Sequence, residues 1–536
     1  MRSVWLPRPG ERLVPSVSGA LLALSFPPLH PLVPPFVGLV PFALWVHALP
    51  ADAAGRQAAR RGGMVFGTVY LGLLLYWILI ALVWFTKLAI PAFLATLGIL
   101  VGMTMLFAAL LHRGLHTLRA PLWLVLPVTW TALEWARAHL PSTMAFPWLG
   151  LGSSLTGFPE LVGIAELVGS RGVTFWLALV NGLVAGLILR LRDAAPWVKQ
   201  SVLTVLVVAL PMAWGVWRAG TLETRAVARV AVVQPNIPEH IKLDAQAGRD
   251  STFEALDRLI PEIEPGSVDL VVLPEVTLSL FARLAGSAPE VARMQTYSRE
   301  VGAPIVFGAL GHRLRQDGAL TALNSAFLME PQGLTDFQYD KRYLVPIVER
   351  VPFLPTELLD GLSYFGAYGV GEGWPLVQID ETLFGVLICY ESSYPEGARA
   401  SRREGADVLL NITNDAWYGR EPIYTRTTAL WQHPAHMVMR AIENRVGVAR
   451  AANTGISLYV DPLGRVYSPT GLFEEGVRIE EVHTTDELTF YTRYGDLVGN
   501  GAAIGALFIV LASMRLAGRG RGVRDLPSLD PSTRVV

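Results

Sequence analysis

The sequence predicts an α-helical body that crosses a membrane about eight times, joined to an α/β domain outside the bilayer. Three observations predict it. Of 536 residues, 52% are hydrophobic and 17% charged, against about 25% charged in an ordinary soluble domain. The apolar residues gather into runs, and crossing about 30 Å of hydrocarbon takes roughly 20 of them. Charge divides the same way: residues 1–224 hold 15 Lys and Arg against 7 Asp and Glu, and residues 225–536 hold 29 against 38. The formal net charge of −1 is thus a basic half cancelling an acidic one. This composition excludes a disordered chain and argues against a purely soluble enzyme or a nucleic-acid-binding protein.

The runs cover about 14–29, 31–49, 63–85, 89–111, 121–140, 161–189 and 200–217, with an eighth at about 498–514. Phe26-Pro27-Pro28 closes the first, and the second follows at once without a convincing small-residue cleavage site, unlike a cleaved leader. Arg171 interrupts the sixth, so that span is expected to start nearer Gly172. Basic residues crowd into alternate loops: Arg2, Arg8 and Arg12; Arg56, Arg60 and Arg61; Arg113 and Arg119; Arg190, Arg192 and Lys199; Arg515, Arg519, Arg521 and Arg524. With eight helices these fall on one side, which the positive-inside rule makes the cytoplasm. The opposite short loops offer little beyond Lys87, Arg137 and Arg171. Both termini are then cytoplasmic, and the segment between the seventh and eighth runs is periplasmic. The expected units are 1–218 for seven spans, 219–497 for the α/β domain, 498–516 for the eighth span and 517–536 for a tail, disordered after Gly518.

Within 219–497, strand-like runs occur at Val230–Val233, Leu270–Leu273, Ile305–Leu310, Ser325–Met329, Phe384–Cys389, Val408–Ile412 and Ile456–Val460. Helical patterns lie between several of them, at about 250–264, 288–301, 392–404 and 425–445. Asp461-Pro462-Leu463-Gly464 marks a late hairpin.

Three residues stand out chemically. Cys389 is the chain's one cysteine, which excludes an intrachain disulfide. It ends a strand-like run, where α/β folds expose reactive groups. Taken alone, a buried structural cysteine is the plainer reading. Glu275 follows the strand-like Leu270–Leu273, where desolvation could raise its carboxyl into a general base's range; a solvated loop glutamate is the plainer reading. Lys341 is unusual in a chain with 40 Arg and four Lys, of which only Lys242 and Lys341 lie in the α/β segment. It reads as a leftover surface lysine or as a fixed ammonium that stabilises an oxyanion and lowers a thiol's pKa.

The order Glu275, Lys341, Cys389 resembles the catalytic set of the nitrilase, or carbon–nitrogen hydrolase, superfamily. The local matches are Leu273-Pro274-Glu275; Tyr339-Asp340-Lys341 with Val345-Pro346, Glu349 and Val351-Pro352; Cys389-Tyr390-Glu391; and Asn411 to Gly419. Combined with eight spans, the pattern resembles the apolipoprotein N-acyltransferase family. Phe26-Pro27-Pro28, Tyr76-Trp77, Glu134-Trp135 with Arg137, and Phe146-Pro147-Trp148 match that family's membrane signatures. Gln432-His433, Arg440 to Asn444 and Asn453-Thr454-Gly455 extend the resemblance to about residues 14–515. Leu243 and Ala145 stand where the family often has Trp and Gly.

The resemblance implies a nitrilase-like αββα sandwich for the α/β domain. It implies an inner-membrane enzyme that moves an acyl chain from a phospholipid donor to the N-terminal α-amine of a diacylated apolipoprotein, by ping-pong through a Cys389 thioester. Glu275 would be the base, and Lys341 with the Tyr390 N–H the oxyanion holders. Glu349 and Glu391 would orient the lysine and support the nucleophile loop, or be structural ion pairs. No cofactor, metal or nucleic acid is called for; His433 and His436 are metal-ligand types without ligand spacing. Residues from Phe353 to Tyr368, aromatic and small, read as a lid. Trp148 and Trp417 read as lipid-entrance residues or, more plainly, interface anchors, and Glu134 with Arg137 as a mutual ion pair. Two other readings share the sequence: a membrane-tethered amidase whose acceptor is water, and a non-enzymatic membrane protein with a degenerate domain.

Overall fold

Each apolar run carries helix, but the helices differ from the runs in length. The computed structural model describes residues 7–83, 89–141, 144–315, 318–346, 348–350, 368–422 and 425–522. The first two runs form short pieces, α1 (Leu13–Ala23), α2 (Pro34–Val37) and α3 (Val40–His47). The third is α4 (Ala53–Leu75) and α5 (Trp77–Val83), bent by 53°. Then come α6 (Ala89–His116), α7 (Leu122–Ala138), α8 (Ala165–Arg192) and α9 (Val198–Thr221). Among the described residues, α6, α8, α9 and the last helix are long and apolar enough to cross a membrane, with α4 and α5 a fifth if the bent pair is one span. Fewer helices than the eight apolar runs pass that test: α1 has 11 residues and α7 has 17 with Pro127 inside.

The body packs through small residues and aromatics. Thr104 Oγ1 donates to the Gly63 carbonyl at 2.9 Å, because glycines on α4 let α6 approach closely. Phe42, Phe66, Phe107 and Trp130 form a buried ring cluster. Asn181 on α8 pins the first segment, accepting from Leu39 N at 2.8 Å and donating to the Pro35 carbonyl at 2.9 Å. α8 begins at Ala165 but breaks at Gly169, so its unbroken stretch starts at Ser170, close to the start near Gly172 expected from Arg171. Gly169 has φ 68°, and a Cβ there would lie 2.6 Å from Tyr491 Cδ2, so both backbone and space require glycine.

The α/β domain's strands are β1 (Arg225–Gln234), β2 (Leu270–Val272), β3 (Leu278–Phe281), β4 (Ile305–Leu314), β5 (Leu320–Glu330), β6 (Gly333–Asp340), β7 (Leu376–Ile379), β8 (Thr382–Ile388), β9 (Val408–Thr413), β10 (Gly447–Ala452), β11 (Leu458–Val460), β12 (Val466–Tyr467) and β13 (Gly476–Thr484). Among the described residues one sheet runs β13-β1-β2-β4-β5-β6 with β3 beside β4, and the other β12-β11-β10-β9-β8-β7. Alternation sorts the layers. Val386 and Ile388 of β8 face the first sheet, joining Val230, Val232, Val272 and Val306. Leu387 faces the other way, into the core that includes Met437 and the membrane body. The helices, after α10 (Glu239–Lys242), are α11 (Ala245–Leu259) and α12 (Ala288–Val301) outside the first sheet, and α13 (Pro395–Arg403) and α14 (Ala429–Asn444) outside the second. This is the αββα sandwich. The expected hairpin joins β11 and β12, closed by Gly464 N to the Asp461 carbonyl at 2.9 Å.

The chain re-enters the apolar body through α15 (Phe490–Tyr494) and α16 (Leu497–Gly522). Helix thus continues past Gly518, where a disordered tail was expected. The docking of the two parts is ionic and mostly buried, with Glu396 half-exposed and Arg218 joining Glu166 from within the body. Arg171 meets Asp496 at 2.7 Å and Glu396 at 3.2 Å. Glu166 meets Arg218 at 2.9 Å and Arg445 at 2.7 Å. Glu443 accepts from Ser170 N at 2.5 Å.

Candidate active site

Strand ends of both sheets meet in one place. Glu275 follows β2, and Val276 next to it has φ 46°. The turn presses against Gly308 of β4, where a Cβ would lie 2.7 Å from Glu275 Cα. Lys341 follows β6. Cys389 follows β8, opening a 3-10 turn at Cys389–Ser393, with φ 53°. A non-glycine residue held there costs about 1–3 kcal/mol, and such strain clusters at functional sites.

Glu275 and Lys341 are both buried, not solvated, so the plainer readings of each are overturned. Lys341 Nζ donates to Glu275 Oε1 at 3.0 Å and to Glu349 Oε1 at 2.8 Å. Asn324 Nδ2 donates to the same two oxygens, at 2.8 and 2.9 Å. Asn414 N donates to the other Glu275 oxygen at 2.9 Å. Burial alone would raise the Glu275 carboxyl, but the Lys341 ammonium and these hydrogen bonds outweigh it. The carboxyl lies below its ordinary value, the reverse of the desolvation-raised base expected. Burial opposes the Lys341 ammonium too, yet Glu275 and Glu349 hold its pKa well above the usual lysine range. Burial and the Glu275 charge push the Cys389 thiol well up, with Lys341 opposing. The resting site is therefore an ionised carboxylate, an ammonium and a neutral thiol within one another's field.

Glu349 also accepts from Val345 N at 2.8 Å, tying the lysine to its following loop. Glu391 is fully buried and gathers Ile388 N at 2.7 Å, Arg342 N and the Tyr339 hydroxyl at 2.8 Å, and Tyr343 N at 3.2 Å. It joins the backbone before Cys389 to the backbone after Lys341. Burial raises its carboxyl to about 6 against those hydrogen bonds. Tyr390 packs against both Phe146 and Trp148, and its hydroxyl donates to the Ala145 carbonyl at 3.2 Å. Its N–H, near the start of the 3-10 turn, has no acceptor within that turn.

The membrane body reaches the Cys389 loop directly. Trp148 is fully buried rather than an interface anchor. It stacks on Tyr390 and His433, and its indole N–H donates to Gln432 Oε1 at 2.9 Å. Glu134 and Arg137 do not pair with each other; both hold the Trp148 loop. Glu134 accepts from Leu151 N at 2.8 Å, and Arg137 donates to the Trp148 and Leu149 carbonyls at 3.0 and 3.2 Å. Trp417 is half-buried at the end of a short turn. His436 is buried against Trp148. The expected lid lies, except for Tyr368, outside the described residues.

Several residues at the site were not singled out as functional. Asn324 bridges both carboxylates, and Asn414 joins Glu275 to Glu239 (3.0 Å). Asp415 and Arg450 pair at 2.6 Å beneath Cys389. The available signal was position: Asn414, Asp415 and Asn453 follow β9 and β10 at the carboxyl ends of parallel strands, where such folds build sites.

Family models match both parts of the chain: carbon-nitrogen hydrolase over residues 229–487 and apolipoprotein N-acyltransferase N-terminal domain over residues 18–183. An apolipoprotein N-acyltransferase of Geobacter metallireducens is 34% identical over 527 residues, covering 94% of this chain and 95% of that protein. One from Chlorobaculum tepidum is 30% identical, covering 90% of this chain and 93% of that protein. A solved CN-hydrolase superfamily protein from Xanthomonas campestris matches 48% of this chain and 90% of its own, at 22% identity and a TM-score of 0.33; it carries no weight in the assignment.

Proposed function

The chain belongs to the apolipoprotein N-acyltransferase family and acylates lipoproteins during their maturation, and from that premise we propose which residues do the chemistry. Cys389 is the nucleophile, Glu275 the base, and Lys341 with the Tyr390 N–H the oxyanion holders. The supporting observation is the buried convergence of Glu275, Glu349 and Lys341 beside the strained Cys389.

Glu275 is ionised at rest and takes the thiol proton as Cys389 Sγ attacks an ester carbonyl of the phospholipid, at the sn-1 chain. The tetrahedral oxyanion faces Lys341 Nζ and Tyr390 N–H, donors worth ~10²–10³ in rate when one is removed. The C–O bond breaks, and protonated Glu275 gives its proton to the departing lysophospholipid alkoxide. The acyl chain is then a thioester on Cys389. The α-amine of a diacylglyceryl-modified N-terminal cysteine attacks it, Glu275 takes the amine proton, and the thiol leaves and is reprotonated. One site serves both half-reactions, which is ping-pong.

The long apolar helices make the chain a membrane protein; the finer arrangement is ours. The short helices α1–α3 and α7 complete eight passes with the longer ones. Residues 1–218 and 498–516 form the body in the bacterial inner membrane, and 517–536 the cytoplasmic tail. The basic loops and termini are cytoplasmic, and 219–497 stands in the periplasm. A catalytic domain fixed over the bilayer meets two poorly soluble lipids by lateral search, at high effective concentration.

The test is intact-mass analysis of the purified protein after incubation with phospholipid, with and without a diacylated lipopeptide. One acyl mass should appear on Cys389 and be discharged by the lipopeptide. Equal acyl labelling of wild type and Cys389→Ala would end the assignment.

A further inference from the structure

The peptide unit that carries the Tyr390 N–H also carries the Cys389 carbonyl, and that carbonyl is not left to the turn alone. His433 Nε2 lies 3.1 Å from the Cys389 oxygen. A carbonyl only accepts, so the ring donates there. The other ring nitrogen, Nδ1, lies 2.8 Å from Asp415 Oδ1. Asp415 Oδ2 accepts from Arg450 Nη2 at 2.6 Å, and Thr413 Oγ1 donates to Oδ1 at 2.9 Å. Arg450 is held in turn by Asn411 Oδ1 of β9. Every member of this chain is buried. Burial would raise the Asp415 carboxyl, but Arg450 and His433 hold it far below the ordinary range. Trp148 stacks on the imidazole at 5.5 Å, closing its face.

Electron density withdrawn from a peptide oxygen makes the N–H of the same unit a stronger donor, because the amide is one conjugated group and hydrogen bonds in series polarise one another. We propose that Asp415 and His433 are positioning residues for the oxyanion hole. With Nδ1 donating to Asp415 and Nε2 to the Cys389 carbonyl the ring is an imidazolium, its charge balanced by the Asp415 carboxylate that Arg450 holds in place; this cationic donor pulls on the carbonyl and thereby aims and strengthens the Tyr390 N–H toward the oxyanion. The same bond fixes the carbonyl's direction, which maintains the left-handed Cys389 backbone. This rests on the reading of Cys389 as the acylated nucleophile.

The experiment uses the full-length protein in detergent and a phospholipid with a ¹³C-labelled sn-1 ester carbonyl. The rate of thioester formation, its dependence on phospholipid and the isotope-edited infrared stretch of the thioester carbonyl are compared for wild type, His433→Phe, His433→Gln and Asp415→Asn. The expected result for His433→Phe is an acylation rate about tenfold to a hundredfold lower, less than outright loss of a donor. Half-saturating phospholipid should stay within about twofold, as expected when only transition-state stabilisation is lost. The thioester stretch should move to higher wavenumber, since the acyl oxygen is less polarised. His433→Gln keeps an N–H donor and should fall between, and Asp415→Asn should shift the band in the same sense by less. If His433→Phe does not fold, the Gln and Asn variants carry the comparison. An unmoved band in folded variants, or an unchanged acylation rate, overturns the proposal. A wild type that forms no thioester band at all overturns the Cys389 assignment and this proposal with it, a different result from a band present and unmoved.

Discussion

The two outer layers of the sandwich bury their helices in opposite ways. On α12 the buried residues are Met294, Tyr297, Ser298 and Val301, a single stripe facing the sheet. Its charges stay outside, as where Arg293 meets Asp257 at the surface. On α14 every residue from Ala429 to Asn444 is buried apart from half-buried Trp431. Yet α14 carries His433, His436, Arg440 and Glu443, and Arg445 follows it. A helix polar on its outer face survives burial only where another body supplies partners for each charge. Here the membrane body supplies part of that company: Ser170 N donates to Glu443, Glu166 pairs with Arg445 and Trp148 packs on both histidines, while Arg440 pairs with Glu443 of its own helix. The apolar body is therefore part of the catalytic half's structure and not only its anchor.

The sharpest way to break this contrast lies at the site itself. Cys389→Ala should abolish thioester formation, read by intact mass, whereas no single change on α12 should. Next come Glu275→Gln and Lys341→Met, each lowering single-turnover acylation by about 10²–10³. Lys341→Met should also destabilise by about 3–5 kcal/mol, since it leaves Glu275 and Glu349 buried together without their cation. Arg445→Met removes a buried partner of Glu166 across the junction; with Arg218 still in place the loss should be about 3 kcal/mol or somewhat less, seen in thermal unfolding. A smaller effect concerns pH. A carboxyl held below its ordinary value stays ionised as acidity rises, so Glu275 remains a base down through the ordinary glutamate range. Acylation followed from pH 8 to pH 5 should show no loss assignable to Glu275; a limb near pH 6 that vanished in Glu275→Gln would contradict the buried Lys341 pairing. Least of all, Arg293→Ala on the outer face should change stability by no more than about 1 kcal/mol. If it cost as much as Arg445→Met, the distinction between the two faces would be lost.

Much of this was legible in the chain. Parallel strands buried on both faces read as continuous apolar runs, so β2, β4, β8 and β9 were recognisable. The strands β3, β6, β7, β10 and β13 were not: β10 is Gly-Val-Ala-Arg-Ala-Ala, and its pairing comes from β9 and β11 rather than from its own pattern. The helix over 288–301 declared itself by a 3.6-residue stripe. The eight apolar runs were visible, but how much of each is one straight helix was not, because Gly169 and the α4–α5 bend are set by neighbours.

By itself the sequence determined the two kinds of material and the αββα class through its family pattern, and it singled out Glu275, Lys341 and Cys389 as candidates, because composition and strand-end motifs are local properties. Tertiary structure decided that Glu275 is depressed and not raised, that Trp148 is buried against the loop after Cys389, and that Asp415, His433 and Arg450 stand behind the Cys389 carbonyl. Those facts depend on which charges and rings meet between separate elements of the chain, and burial turns each such meeting into a large energetic term that no local pattern encodes.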